Sequence, residues 1–184
     1  MNTLKSISGF CVLLLLLCQP RTGIAQEQRQ HDAHVHGIGQ LHIAIDGQTL
    51  SIELETPAAN VVGFEQAPKT AEEKDQVQKV ADRLSRGADL FVPTAEAHCR
   101  LVEGKVVSEQ LEEKGHDHGH DGDGRHSEFH VVYSFQCTDP AALTHLDVLI
   151  FRLFPGTERL ETRFVSSKGQ GLAHLTEEAF RVTF

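Results

Sequence analysis

Basic charge is scarce in this chain: 17 Lys and Arg stand against 26 Asp and Glu, a net charge of −9 over 184 residues. An acidic excess disfavours nucleic acid and anionic membrane surfaces as partners, and it raises the local concentration of cations. Long apolar runs are lacking too. The run from Ile7 to Leu17 falls short of the roughly 20 residues that a spanning helix needs. The common catalytic signatures are missing: no H-E-x-x-H, no Gly-rich phosphate loop and no G-x-S-x-G elbow occurs. Sulfur is limited to one methionine and four cysteines.

Lys5, the apolar run and then Gly23-Ile24-Ala25 read as a secretory signal peptide over residues 1–25, cut after Ala25. Lipidation at Cys18 is a weaker reading, because Leu17 stands where a small residue belongs; an uncleaved anchor is weaker still. Cleavage removes Lys5 and Arg21, which leaves 15 basic residues (17 less 2) and a net charge of −11. It also removes the only methionine, Cys11 and Cys18. The remainder is long enough for one domain with a real core. Cys99 and Cys137 are then an even pair in an oxidising compartment, for which a disulfide is the natural expectation and two separate buried thiols the alternative.

Residues 26–37 lack an apolar period and read as a mobile arm preceding a single domain over 38–184. Leu41, Ile43 and Ile45 alternate before Asp46-Gly47, and Leu50, Ile52 and Leu54 alternate after it, the pattern of a one-sided β-hairpin ended by Pro57. From Lys69 to Gly87, Thr70 and Glu73 form a capping box. Val77, Val80, Ala81 and Leu84 recur at helical spacing, with Gly87 as a plausible stop. Residues 97–109 and 127–137 read as strands. In the second, Phe129, Val131, Tyr133, Phe135 and Cys137 share one face, and Glu128, His130, Val132, Ser134 and Gln136 the other. Residues 146–154 fit a central strand or a buried helical turn; Arg159–Val165 and Ala179–Phe184 read as strands. One amphipathic helix amid six or seven strands gives an α+β fold, a mainly antiparallel sheet with the helix packed on it.

Between the two strands lies K-G-H-D-H-G-H-D-G-D-G-R-H, residues 114–126. Residue 118, its centre, is the midpoint of Cys99 and Cys137. If the strands pair, the disulfide closes the base of a long hairpin loop, which stabilises the fold by roughly 3–4 kcal/mol, and the histidines sit at the tip. Two imidazoles on one tetrahedral zinc have ligand atoms about 3.3 Å apart. His116, His118 and His120 follow an i, i+2 spacing, about 6–7 Å in extended chain, so they share an ion only where the backbone bends. Gly115, Gly119, Gly122 and Gly124 permit bending. Asp117, Asp121 and Asp123 add oxygen ligands. Ordering such a loop opposes binding, so the tip alone binds less tightly than a preformed cage, and it has room for more than one ion. A solvated polar loop is the plain alternative.

A second group is His31, His34, His36 and, on the outward face of the first strand, His42; His126 and His130 match in parity on the later strand. A site joining His34-Val35-His36 to a strand histidine would be better organised than the loop. His98, His145 and His174 are isolated and read as polar surface or as making a local hydrogen bond rather than as ligands. Asp32-Ala33-His34-Val35-His36 imitates the strand end of an amidohydrolase, but those enzymes need a (β/α)₈ barrel of roughly 250 residues. Copper(I) prefers sulfur; copper(II) and nickel remain compatible with histidine.

Several stretches, in order, resemble the DUF2796 family, the ZrgA-like histidine-rich periplasmic zinc-binding proteins of Gram-negative bacteria. They are H-V-H-G-I-G-Q-L-H-I-A-I-D-G at 34–47, T-P-A-A-N-V-V-G-F-E at 56–65 and A-H-C-R-L at 97–101. After the histidine loop come H-S-E-F-H-V-V-Y-S-F-Q-C at 126–137 and L-D-V-L-I-F-R-L-F-P-G at 146–156. The resemblance implies a periplasmic role in zinc acquisition under zinc limitation, alongside an ABC-type importer. It carries over most directly onto His34, His36, His126 and the loop histidines.

These observations give a non-enzymatic periplasmic protein that binds one or more zinc ions, with no membrane insertion after cleavage. The candidate ligands are His34, His36, His116, His118, His120, His126, His130, Asp117 and Asp121, and the brace is Cys99–Cys137. Two rivals stand beside it. One is an accessory protein that docks on a transporter and only buffers zinc weakly. The other is a metal-dependent hydrolase, for which Glu128 is the nearest general base; a hydrolase needs further positioned partners that the sequence does not display.

Overall fold

The structure, a computed structural model, describes residues 35–112 and 127–184. The expected signal peptide, His31, His34 and the histidine-rich segment from 114 to 126, expected as a hairpin loop, lie outside the described residues.

Alternation with period two builds the main sheet. Ile38–Asp46 (β1) and Thr49–Pro57 (β2) form the expected hairpin, with Gly47 at a φ of 55°, the left-handed value that an Asp-Gly turn requires. Leu41, Ile43, Leu50, Ile52 and Leu54 are buried on its inner face. Cys99–Ser108 (β4) and Glu128–Cys137 (β5) are antiparallel neighbours, with Cys99 opposite Cys137 and disulfide-bonded to it. β5 is flanked by β4 and β2, and its five expected core residues are all buried. A bulge between Leu101 and Glu103 interrupts the β4 register.

Arg159–Ser166 (β7) and Gly169–Leu175 (β8) complete a six-stranded sheet in the order β4-β5-β2-β1-β7-β8. Only β1 and β7 run parallel. A second sheet, β3-β6-β9, joins Phe91–Pro93 (β3), His145–Val148 (β6) and Arg181–Thr183 (β9). Nine strands are thus present among the described residues rather than six or seven. β3 and β8 are the strands that sequence pattern does not reveal: F-V-P is only three residues long, and G-Q-G-L-A-H-L has two glycines and no β-branched residue. Both readings of residues 146–154 hold in part, because β6 runs into a helical turn at Ile150–Leu153.

The expected helix spans Ala71–Ser85. Labelled α2, it follows a single turn at Ala58–Val61 (α1) and precedes Gly87–Leu90 (α3) and the Ile150–Leu153 turn (α4). Its capping box is complete: Glu73 N–H donates to Thr70 Oγ1 at 3.1 Å, and Thr70 N–H to Glu73 Oε2 at 3.0 Å. Backbone donation from Thr70 and Lys69 holds the Glu73 carboxyl below the usual carboxylate range. Val77, Val80, Ala81 and Leu84 turn inward, and the buried Tyr133 hydroxyl donates to Leu84 O at 2.8 Å. Burial pushes that phenol well above its usual range. Its ring lies 5.0 Å from that of Phe91, which ties the second sheet into the same core.

Gly87 does not serve as the expected helix stop. The helix ends at Ser85 with Arg86 as its cap, and Gly87 opens α3. A Cβ at Gly87 would overlap the Tyr133 ring, so its glycine is a packing requirement. Gly104 on β4 is constrained more severely, because a Cβ there would collide with the backbone carbonyl of Ser85. Gly104→Ala is therefore expected to lower stability by about 1–3 kcal/mol, read as a lower urea midpoint.

At the rim of the second sheet, Arg181 grips Asp147 through Nε at 2.6 Å and Nη2 at 2.8 Å. That hydrogen-bonded guanidinium holds the Asp147 carboxyl below its ordinary value. A depressed carboxyl contributes stability above its unfolded pKa, about 3.9, and loses it as pH falls through the folded value. Asp147→Asn should therefore lower the urea midpoint near neutral pH, and the gap from the parent should close on acidification.

Candidate metal centre

The outward face of the six-stranded sheet collects the residues that alternation excludes from the core. Glu53 and Glu55 point outward from β2, and His130 from β5. His130 stands directly opposite Glu55, and Glu53 lies on the diagonal. Cys137 N–H donates to Gln48 O and Ala58 N–H to Ser127 O, which bracket this ladder. By alternation, Glu55 and His130 then occupy a non-hydrogen-bonded pair, where facing side chains approach most closely.

His130 Nε2 lies 2.5 Å from Glu53 Oε1 and 4.0 Å from Glu55 Oε1. The three side chains are 39%, 45% and 44% exposed, so the cluster is held by the sheet yet open to solvent. Among the described residues this is the one group of three or more His, Cys, Asp or Glu whose ligand atoms lie within 4.8 Å of one another. Zinc binds imidazole nitrogen at about 2.0–2.1 Å and carboxylate oxygen at about 2.0–2.2 Å, which sets ligand atoms on a tetrahedral ion about 3.3 Å apart. The observed separations bracket that value, so small side-chain rotations suffice. The His130–Glu53 hydrogen bond would have to open for an ion to take the same Nε2 and Oε1.

The remaining candidate ligands are placed elsewhere. His36 is exposed, and its Nε2 lies 2.8 Å from Glu65 Oε1. It precedes Gln40 by four positions, whereas Gln40 is the β1 residue in line with Glu55 and His130. His36 and His130 are thus not members of one cluster. His42 faces Glu53 across β1–β2, and His174 lies on the outward face of β8 opposite Glu161. His34, His116, His118, His120, His126, Asp117 and Asp121 lie outside the described residues. Glu128 is on the same face of β5 as His130, two positions away, and is half-buried.

The strand ends that lead toward the loop are well fastened. Ser108 Oγ accepts from Gln110 N–H, and Gln110 Nε2 donates to Phe64 O at 3.3 Å and Gln66 O at 2.9 Å. On the other side Ser127 O accepts from Ala58 N–H. Nearby, buried Asn60 fixes the entry to β1: its Oδ1 accepts from Gly37 N–H at 2.7 Å, and its Nδ2 donates to Ile38 O and Thr56 Oγ1. Gly37, at a φ of +83°, returns its carbonyl to Glu158 and Arg159 N–H. His36 is therefore positioned by its neighbour's backbone.

Glu53 and Glu55 were not anticipated as ligands. Their signal in the sequence is the outward parity of two carboxylates on one strand, which identifies a face but not which strand lies beside it.

A β-sheet protein with a surface His-Glu-Glu cluster beside a disulfide-closed strand pair is the class that fold and geometry define. The model of the ZrgA family of zinc uptake proteins matches residues 33–184, and the chain belongs to that family. It is a family of uptake proteins rather than of enzymes. No curated protein matches the chain.

Asn60→Ala leaves the Gly37 N–H without its partner in a buried setting. It is expected to lower stability by about 1–3 kcal/mol and to speed amide exchange at Gly37 and Ile38, as read by hydrogen exchange.

Proposed function

We propose that the protein binds zinc in the periplasm and assists its acquisition when zinc is scarce, passing it toward an ABC-type importer. Family membership supports zinc uptake. The observation that carries the proposal further is the His130–Glu53–Glu55 cluster, held on the paired strands β2 and β5. On this reading the loop ligands His116, His118, His120, His126, Asp117 and Asp121, with His34 and His36 of the arm, capture metal. The strand cluster then retains it. A donor set preformed on paired strands loses little entropy on binding and so suits retention. Cargo must be released, and a half-exposed site with one imidazole and two carboxylates suits exchange better than a closed four-ligand cage.

The test is zinc competition against a chelator of known affinity in four proteins. These are the parent, His130→Ala, a deletion of residues 115–125, and the deletion combined with His130→Ala. The deletion should lower the ion count and leave one site. His130→Ala should weaken that site about tenfold or more, equivalent to about 1.4 kcal/mol, and the combined variant should bind no zinc competitively. Affinity should fall from about pH 7.5 to about pH 5.5, because imidazole binds metal only when neutral. If the parent binds no zinc against the chelator, the protein only docks on its transporter. If the deletion alone abolishes binding, the loop is itself the site.

A further inference from the structure

The two edges of the six-stranded sheet differ. β4 is guarded: it carries Arg100, Glu103 and Lys105, and a bulge at Val102 interrupts it. Charges and bulges are the usual devices that stop an edge from pairing with another strand. β8 has none of them. Gly169 to Leu175 contains no Asp, Glu, Lys, Arg or Pro, and its register with β7 runs unbroken. Leu172 at its centre is 78% exposed, the most exposed large apolar residue among those described.

The register shows what this edge offers. Ser167 and Lys168 form a two-residue turn between Ser166 and Gly169. Hydrogen-bonded pairs of β7–β8 therefore fall at Ser166–Gly169, Phe164–Gly171 and Thr162–Ala173. The N–H and C=O groups of Gln170, Leu172 and His174 point the other way, to the edge where no described strand pairs. The side chains of these three stand on the outward face.

We propose that β8 pairs with β8 of a second copy of this chain, antiparallel, about a two-fold axis through Leu172. Leu172 then lies opposite the second copy's Leu172, and Gln170 opposite the second copy's His174. The outward-pointing backbone groups of each strand meet their counterparts. The two exposed leucines cover each other, and the Gln170 amide faces an imidazole. Charge also selects this edge for self-association. The chain is acidic overall, so two copies repel at most contacts. Here the strand is uncharged, and the outward residues of β7 behind it are Arg159, Glu161 and Arg163, one positive charge in sum. The two-fold axis through Leu172 is perpendicular to the sheet, so both His130 clusters face the same side of a continuous twelve-stranded sheet.

Sedimentation velocity over a concentration series, in excess chelator to exclude zinc bridging, combined with amide hydrogen exchange, tests this. The purified parent should approach twice the monomer mass as concentration rises, with exchange at Gln170, Leu172 and His174 slowing in step. Leu172→Lys places two like charges at the axis. It should stay monomeric over the same range and lose the protection at these amides, while keeping the urea midpoint that the parent shows at its lowest, monomeric concentration. A parent that is monomeric at every concentration overturns the proposal and leaves the edge to a foreign strand. A dimer whose three amides exchange freely, or a Leu172→Lys variant that dimerises like the parent, overturns it as well.

Discussion

The register of β5 between β2 and β4 is the constraint from which the rest follows. Because side chains alternate with period two, one choice of pairing sends Phe129, Val131, Tyr133 and Phe135 into the core and leaves His130 outside beside Glu53 and Glu55. A slip by one residue would expose four large apolar groups and bury a histidine. The Cys99–Cys137 link fixes two directly facing residues and so opposes that slip. Tyr133 adds a second lock, since its hydroxyl reaches Leu84 O only when its ring lies inward over Gly87.

Much of this was legible in the sequence because it depends on local pattern. The β1–β2 hairpin announces itself in flanking alternation and Asp46-Gly47, and α2 in its capping box and the spacing of Val77, Val80, Ala81 and Leu84. The parity of β5 correctly separated core from surface over all ten residues. What stayed hidden required knowledge of neighbours. In the second sheet β3 is only three residues long, and its apolar residues look like those of any connection. The demand on Gly87 comes from Tyr133, which lies 46 positions away, so a helix stop was the natural but incorrect reading.

The same division explains the candidate site. Histidines are rare enough to be noticed singly, so His130 and His36 stood out. Glutamates on a strand surface are common, and Glu53 and Glu55 gain meaning only when β5 is laid beside β2. Matching parity alone joins His36 to the strand histidines, and parity does not say which residues of neighbouring strands stand in one row. The strand register instead places His36 near Glu65, beyond the row that holds His130.

In this member of a zinc uptake family, a half-exposed His-Glu-Glu cluster lies on β2 and on β5, the strand that follows the histidine-rich segment. The most direct measurement is anomalous diffraction at the zinc edge from crystals of the protein grown with zinc. The expected result is a peak bonded to His130 Nε2 and to carboxylate oxygens of Glu53 and Glu55, with the His130–Glu53 hydrogen bond replaced. Zinc density found only elsewhere, with that hydrogen bond intact, would contradict it.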